Sequence, residues 1–169
     1  MKRIITLTIV ILFLLLCFST TSADNGETWI GADEIAYCEQ AGQEFGISPE
    51  LLEAVIESES SGQQYAKNGE CVGLMQVNKS LHADRAKELG VSNIYDKQGN
   101  IRIGASFLLD LFEKYEDEGL VLMHYNGVSK ADTYAAQGKY TKYAKKIMNR
   151  AEQLEYIHGK HDYEKIKRR

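Results

Sequence analysis

A chain of 169 residues has the length of one ordinary domain. With 44% hydrophobic and 26% charged residues, one proline and 14 glycines, its composition excludes a disordered, collagen-like or proline-rich polypeptide. A formal charge of −4, from 20 Lys+Arg against 24 Asp+Glu, excludes the basic face that a nucleic-acid partner requires. The chain opens on Lys2 and Arg3, an apolar run from Ile4 to Phe18, and the small residues Ser19 to Ala23, with Thr21 and Ala23 placed for cleavage before Asp24. This is the three-part layout of a secretory signal peptide over residues 1–23. The apolar run is shorter than the ~20 residues of a spanning helix. Leu16 ahead of Cys17 is not the small residue that lipid attachment there requires. A secreted protein in contact with membrane only during export is expected, whose remaining residues carry 18 Lys+Arg against 24 Asp+Glu. Two cysteines then remain, Cys38 and Cys71, in a compartment that permits disulfides. A bridge closing their 34-residue loop is expected to contribute roughly 3–4 kcal/mol; the alternative is two buried thiols.

The elements that follow are helices, with almost no strands. Residues 24–32 read as a mobile lead-in, and the domain proper as 33–157. From Asp33, Ile35, Cys38, Ala41 and Phe45 recur at helical spacing until Gly46 stops the helix. Ser48-Pro49-Glu50 opens a second helix, with Ser48 as N-cap and Pro49 at the first helical position. Residues 61–78 lack a sustained period and read as a long structured loop. Helices are predicted over Ser80–Leu89, Gln98–Tyr115 and Leu120–Tyr125, and a long amphipathic stripe runs from Tyr140 to Ile157. Residues 158–169 form a charged tail, frayed over its last ten residues. The fold class expected is all-α, a single domain with irregular loops.

The second helix carries the feature with chemical content. Projected at ~100° per residue, Leu51, Leu52, Val55 and Ile56 form one face and Glu50, Glu53 and Glu57 the opposite, charged one. Glu59 falls in the middle of the apolar face. A carboxyl there resists ionisation, because desolvation disfavours its charged form and the helix C-terminus adds a negative end of dipole. A carboxyl kept protonated is what a general acid requires. Helix geometry alone leaves the other reading open, in which the helix frays at Ser58 and Glu59 turns to solvent.

Glu59-Ser60-Ser61-Gly62, then Gly73-Leu74-Met75-Gln76, and later Tyr125-Asn126-Gly127, resemble the SLT-type lytic transglycosylases of the lysozyme-like superfamily. The resemblance extends to Ala54-Val55-Ile56, to Asn100-Ile101-x-x-Gly104, and to Tyr143 with Ile147, and so covers about Ile47 to Leu154. The family places its catalytic glutamate three residues after the isoleucine of an Ala-Val-Ile-like run, which is Glu59 and not Glu57. Glu57 is read as a solvated helix residue whose change to Gln does little.

The resemblance implies a lysozyme-like domain with a substrate cleft. It also implies cleavage of the β-1,4 bond between N-acetylmuramic acid and N-acetylglucosamine in peptidoglycan, in the cell wall or periplasm, without a cofactor or metal. One glutamic acid serves as acid and then base, and a 1,6-anhydro sugar results. Ser60 would orient the glutamate, and Met75 and Gln76 would line the cleft, with Gln76 bonding sugar or its acyl groups. Tyr125 would sit against Glu59 or help stabilise charge, and Asn126 would bond across the cleft. The chain departs from the family in the extra Ser61, in Glu70-Cys71 ahead of Gly-Leu-Met-Gln, and in the missing small residue between Asn126 and Gly127. Glu70 is a spare carboxylate which, by activating water, would make the protein a hydrolase of lysozyme type. A third reading is a non-catalytic cell-wall-binding or assembly protein on the same scaffold.

Other chemistries find little support. His82, His124, His158 and His161 lack metalloprotease spacing, and Ser58, Ser60 and Ser61 lie in no nucleophile elbow. Trp29, the single tryptophan, is a candidate for stacking on a sugar, though an aromatic near a terminus more often packs against the domain.

Overall fold

A computed structural model describes residues 28–159. Seven helices and one small sheet make up these residues: α1 (Ala32–Phe45), α2 (Pro49–Glu59), β1 (Lys67–Asn68), β2 (Cys71–Val72), β3 (Val77–Asn78), α3 (Ala83–Glu88), α4 (Lys97–Lys114), α5 (Glu118–Tyr125), α6 (Ala131–Ala136) and α7 (Lys142–Ile157). The signal segment, most of the charged tail and His161 lie outside the described residues. None of the described helices is long and apolar enough to cross a membrane.

Side chains at the helix starts take up orphan backbone N–H groups. Ser48 accepts from the Leu51 N–H at 3.4 Å, Asp96 from Gly99 at 2.8 Å, Asp117 from Leu120 at 2.7 Å and Thr141 from Ala144 at 3.2 Å. These caps set α2, α4, α5 and α7 within a residue or two of the predicted starts. Two elements were not foreseen. Within the expected loop, three two-residue strands form an antiparallel sheet in the order β1-β2-β3, with Lys67 opposite Val72 and Cys71 opposite Asn78. The stripe from Tyr140 starts only at Lys142, and α6 precedes it as a separate short helix.

α2 runs through the middle of the domain, packed on α7 and α1, with α5 lying between α7 and α4. Leu51, Leu52, Ala54, Val55 and Ile56 are buried and join Ile101, Leu108, Leu122, Ile147 and Leu154 in one core. Central placement also overturns the expected solvated face of α2. Glu50 and Glu53 are each 1% exposed and Glu57 is 6% exposed. Glu50 accepts from the Ser48 hydroxyl at 3.0 Å and faces His158 Nδ1 at 2.9 Å. His158 is the C-cap of α7. Glu57 meets Arg150 of α7, whose Nε lies 2.6 Å from Oε2. Its Oε1 accepts from the Thr28 hydroxyl and the Trp29 N–H, both at 3.0 Å. The lead-in, expected to be mobile, is therefore fastened to α2 from Thr28 onward.

The expected disulfide is absent, and both cysteines are free. Cys38 is buried on α1, where burial and then the Glu53 carboxylate raise its thiol pKa. Cys71 stands half-buried on β2, where burial and then Glu59 raise its own.

Candidate active site

Glu59 is the last residue of α2 and is half-buried. Its Oε1 accepts a hydrogen bond from the Tyr143 hydroxyl of α7. Burial raises the Glu59 pKa, and the Tyr143 hydrogen bond and the Lys146 ammonium offset this only in part. The helix C-terminus at which the carboxyl sits acts in the same direction as burial. Tyr143 is itself pushed far above the ordinary phenol range, first by burial and then by Glu59, so it remains a donor. Three successive contacts join the end of α2 to α7: Glu57 to Arg150, Ser58 to Lys146 Nζ at 3.5 Å, and Glu59 to Tyr143.

The loop Gly73-Leu74-Met75-Gln76 is hung on Asn100, which is fully buried. Asn100 Oδ1 accepts the Met75 N–H at 2.8 Å, and its Nδ2 donates to the Val72 carbonyl at 3.1 Å and the Ile94 carbonyl at 2.8 Å. Gly73 has φ 81°, and a Cβ there would come within 2.2 Å of Asn100 Nδ2, so no side chain fits. Met75 does not line a cleft: it is fully buried, against Gly104, where a Cβ would lie 2.5 Å from its Sδ. Its carbonyl, 2.9 Å from the Tyr125 hydroxyl, accepts that proton. Gln76 is half-exposed in the left-handed region at φ 48°, with Nε2 donating to the Gly73 carbonyl at 3.0 Å.

Burial and then the Glu59 charge raise the Tyr125 hydroxyl well above the usual range. Phe107 supports the ring at a centroid distance of 5.4 Å. Ser60 does not orient Glu59; its hydroxyl donates back to the Ile56 carbonyl at 3.2 Å and closes the helix end. Asn126 is exposed at the end of α5. Glu70 is exposed in the β1–β2 turn, where the Ser80 hydroxyl donates to Oε2 at 3.2 Å. One grouping among the described residues has metal-ligand spacing: Glu50, Glu53 and His158, with donor atoms within 4.8 Å of one another. It lies at the far end of α2 from Glu59. The residues that the sequence reading left without a role are Tyr143 and Asn100, both present in the motif signal but not interpretable from it.

The architecture is thus a helical domain whose central helix ends on one carboxylic acid, desolvated and held by a tyrosine. A family model described as "Transglycosylase SLT domain" matches residues 36–148, and the chain belongs to that family, with its all-α lysozyme-like fold. The chain is also similar to a protein named "Transglycosylase" from Enterobacteria phage PRD1, at 33% identity over 109 residues. That match covers 64% of this chain, and the chain spans 39% of the phage protein.

Proposed function

We propose that the protein is a secreted peptidoglycan lytic transglycosylase, with residues 1–23 as its signal peptide and Glu59 as both acid and base. The observation that carries this reading is the Glu59 environment: a carboxyl whose pKa burial raises, with Tyr143 as its hydrogen-bond partner. Protonated Glu59 gives its proton to the glycosidic oxygen as the bond to the muramic acid anomeric carbon breaks. The carboxylate left behind takes the proton of the C6 hydroxyl as that oxygen attacks the same carbon. The 1,6-anhydro ring closes, and Glu59 is protonated again without any water consumed. Tyr143 holds Oε1 throughout, which assigns the substrate proton to Oε2. Tyr125 walls the site, and Gln76 and Asn126 offer amides to the sugar acyl groups.

A hydrolase of lysozyme type would need a second carboxylate to activate water or attack the sugar. Glu70, exposed and bonded to Ser80, has neither the burial nor the partners of Glu59. The deciding experiment is mass spectrometry of fragments released from purified peptidoglycan, with Glu59→Gln as control. Anhydro-muramyl ends that vanish in the control are the expected result. Reducing ends would make the protein a hydrolase and Glu70 the next residue to change. Absence of fragments from several wall types would favour the wall-binding reading.

A further inference from the structure

Trp29 is 70% exposed, yet its backbone is tied to α2. The Trp29 N–H donates to Glu57 Oε1 at 3.0 Å, Thr28 donates to the same oxygen, and Arg150 holds the carboxylate from the other side. The lead-in then runs against the turn that follows Glu59. A Cβ on Gly62 would come within 3.4 Å of Ile30 Cγ2 and 3.7 Å of the Trp29 carbonyl oxygen. Gly62 has φ 75° and Ser61 φ 52°, so this turn is tightly formed where the lead-in abuts it. From the Tyr143–Glu59 contact to the Arg150–Glu57 contact is seven residues of α7, about 10 Å. A large apolar ring is thus presented to solvent on a rigid support close to the acid. A side chain of this kind offers a flat face to an apolar sugar face and an N–H to a hydroxyl.

We propose that the Trp29 indole is a sugar-stacking surface that extends the glycan-binding site beyond Glu59. The proposal rests on the reading of the protein as a peptidoglycan-cleaving enzyme, since the occupant it commits to is a glycan strand lying across Glu59. Fastening through Glu57 holds the Trp29 backbone in place before substrate arrives, which lowers the ordering left to binding.

Because Trp29 is the single tryptophan, intrinsic fluorescence reports it directly. The full chain carrying Glu59→Gln, which binds without cleaving, is titrated with soluble uncrosslinked peptidoglycan glycan oligomers, with calorimetry as an independent measure of binding. Emission is expected to shift to the blue and to lose quenching by acrylamide, saturating with the calorimetric Kd. Trp29→Ala should raise that Kd about tenfold, the effect of leaving ~60 Å² of apolar surface uncovered. Trp29→Phe should recover most of it, and Tyr156→Ala, which removes another exposed aromatic, should not change it. Binding seen by calorimetry with unchanged emission would overturn the stacking role and leave the enzyme reading intact. Emission already blue and protected in the free protein would overturn it as well. No binding of any oligomer, together with no fragments released by the unaltered chain, would overturn both readings.

Discussion

Glu57 and Glu59 leave the same turn of α2, both withdrawn from water, and have opposite titration behaviour. Burial on its own raises both carboxyls. At Glu57 the Arg150 hydrogen bonds, the Trp29 N–H, the Arg150 charge and the Thr28 hydroxyl together outweigh it, and the pKa falls below the ordinary value. At Glu59 the Tyr143 hydroxyl and the Lys146 charge do not, and the pKa is raised. Withdrawal from water therefore does not make an acid; withdrawal without a matched cation does. Two residues of helix separate a structural anchor from the proposed proton donor.

The largest break in this comparison is Glu59→Gln. The amide keeps the shape and can still accept from Tyr143, but it cannot give and recover a proton. Turnover on peptidoglycan should fall at least about a thousandfold, at the upper part of the range for a general acid–base group. The melting temperature should hold or rise, since a carboxyl with a raised pKa costs stability when ionised.

Glu57→Gln should do the reverse, and not the little that its expected solvated position implied. Arg150 would lose its countercharge while its own side chain is 15% exposed. The cost should be about 2–3 kcal/mol, somewhat below full truncation of a buried pair because the amide still accepts from Thr28 or Trp29. Thermal unfolding at neutral pH should drop by about 6–10 °C. The sign with pH follows from the lowered pKa. Glu57 stabilises the fold above its unfolded value, near 4.5, and that contribution disappears as pH falls through the lower folded value. The gap between unaltered and variant chains should therefore narrow in acid. Glu59 runs the other way: its contribution is complete below the unfolded value and is lost as pH rises through the raised folded one.

How much of this pair was legible in the sequence depends on where the partners lie. Glu59 could be singled out because its position on an apolar stripe is a local property of eleven residues of helix. The same projection misplaced Glu57, since its cation comes from Arg150, 93 residues away, and no local period encodes that. Tyr143 is 84 residues from Glu59 and was visible only as part of a motif on the last helix. Met75 and Ser60 were misread for a related reason. A motif marks positions that cannot vary freely, but it does not say whether the constraint is contact with substrate or, as here, packing against Gly104 and closure of a helix end. The three strands escaped notice because two residues cannot display a period of two.

Tyr143→Phe sharpens the comparison at its centre. It removes the hydrogen bond that lowers the Glu59 pKa while burial stays, so the carboxyl should titrate still higher. Since the protonated form is the acid, the alkaline limb of the kcat profile should move to higher pH. At its optimum kcat should fall about tenfold through loss of orientation. A fall in kcat with the limb unmoved would mean that Tyr143 supports the helix and does not set the acid.

The smallest expected effect concerns the two cysteines. A Cys38–Cys71 bridge would contribute about 3–4 kcal/mol, and reducing it would lower the melting temperature by roughly 10 °C. With both thiols free, added reductant should change it by less than about 1 °C. The thiols should then differ in reactivity in the order of their surroundings. Cys71, half-exposed on β2 and within the field of Glu59, should be alkylated in the folded protein. Cys38 is fully buried, with a thiol that burial and then Glu53 hold well above its ordinary value, and it should react only after unfolding. A burst of one thiol under native conditions and a second in denaturant is the expected titration. Two unreactive sulfurs in unreduced denaturant would restore the bridge.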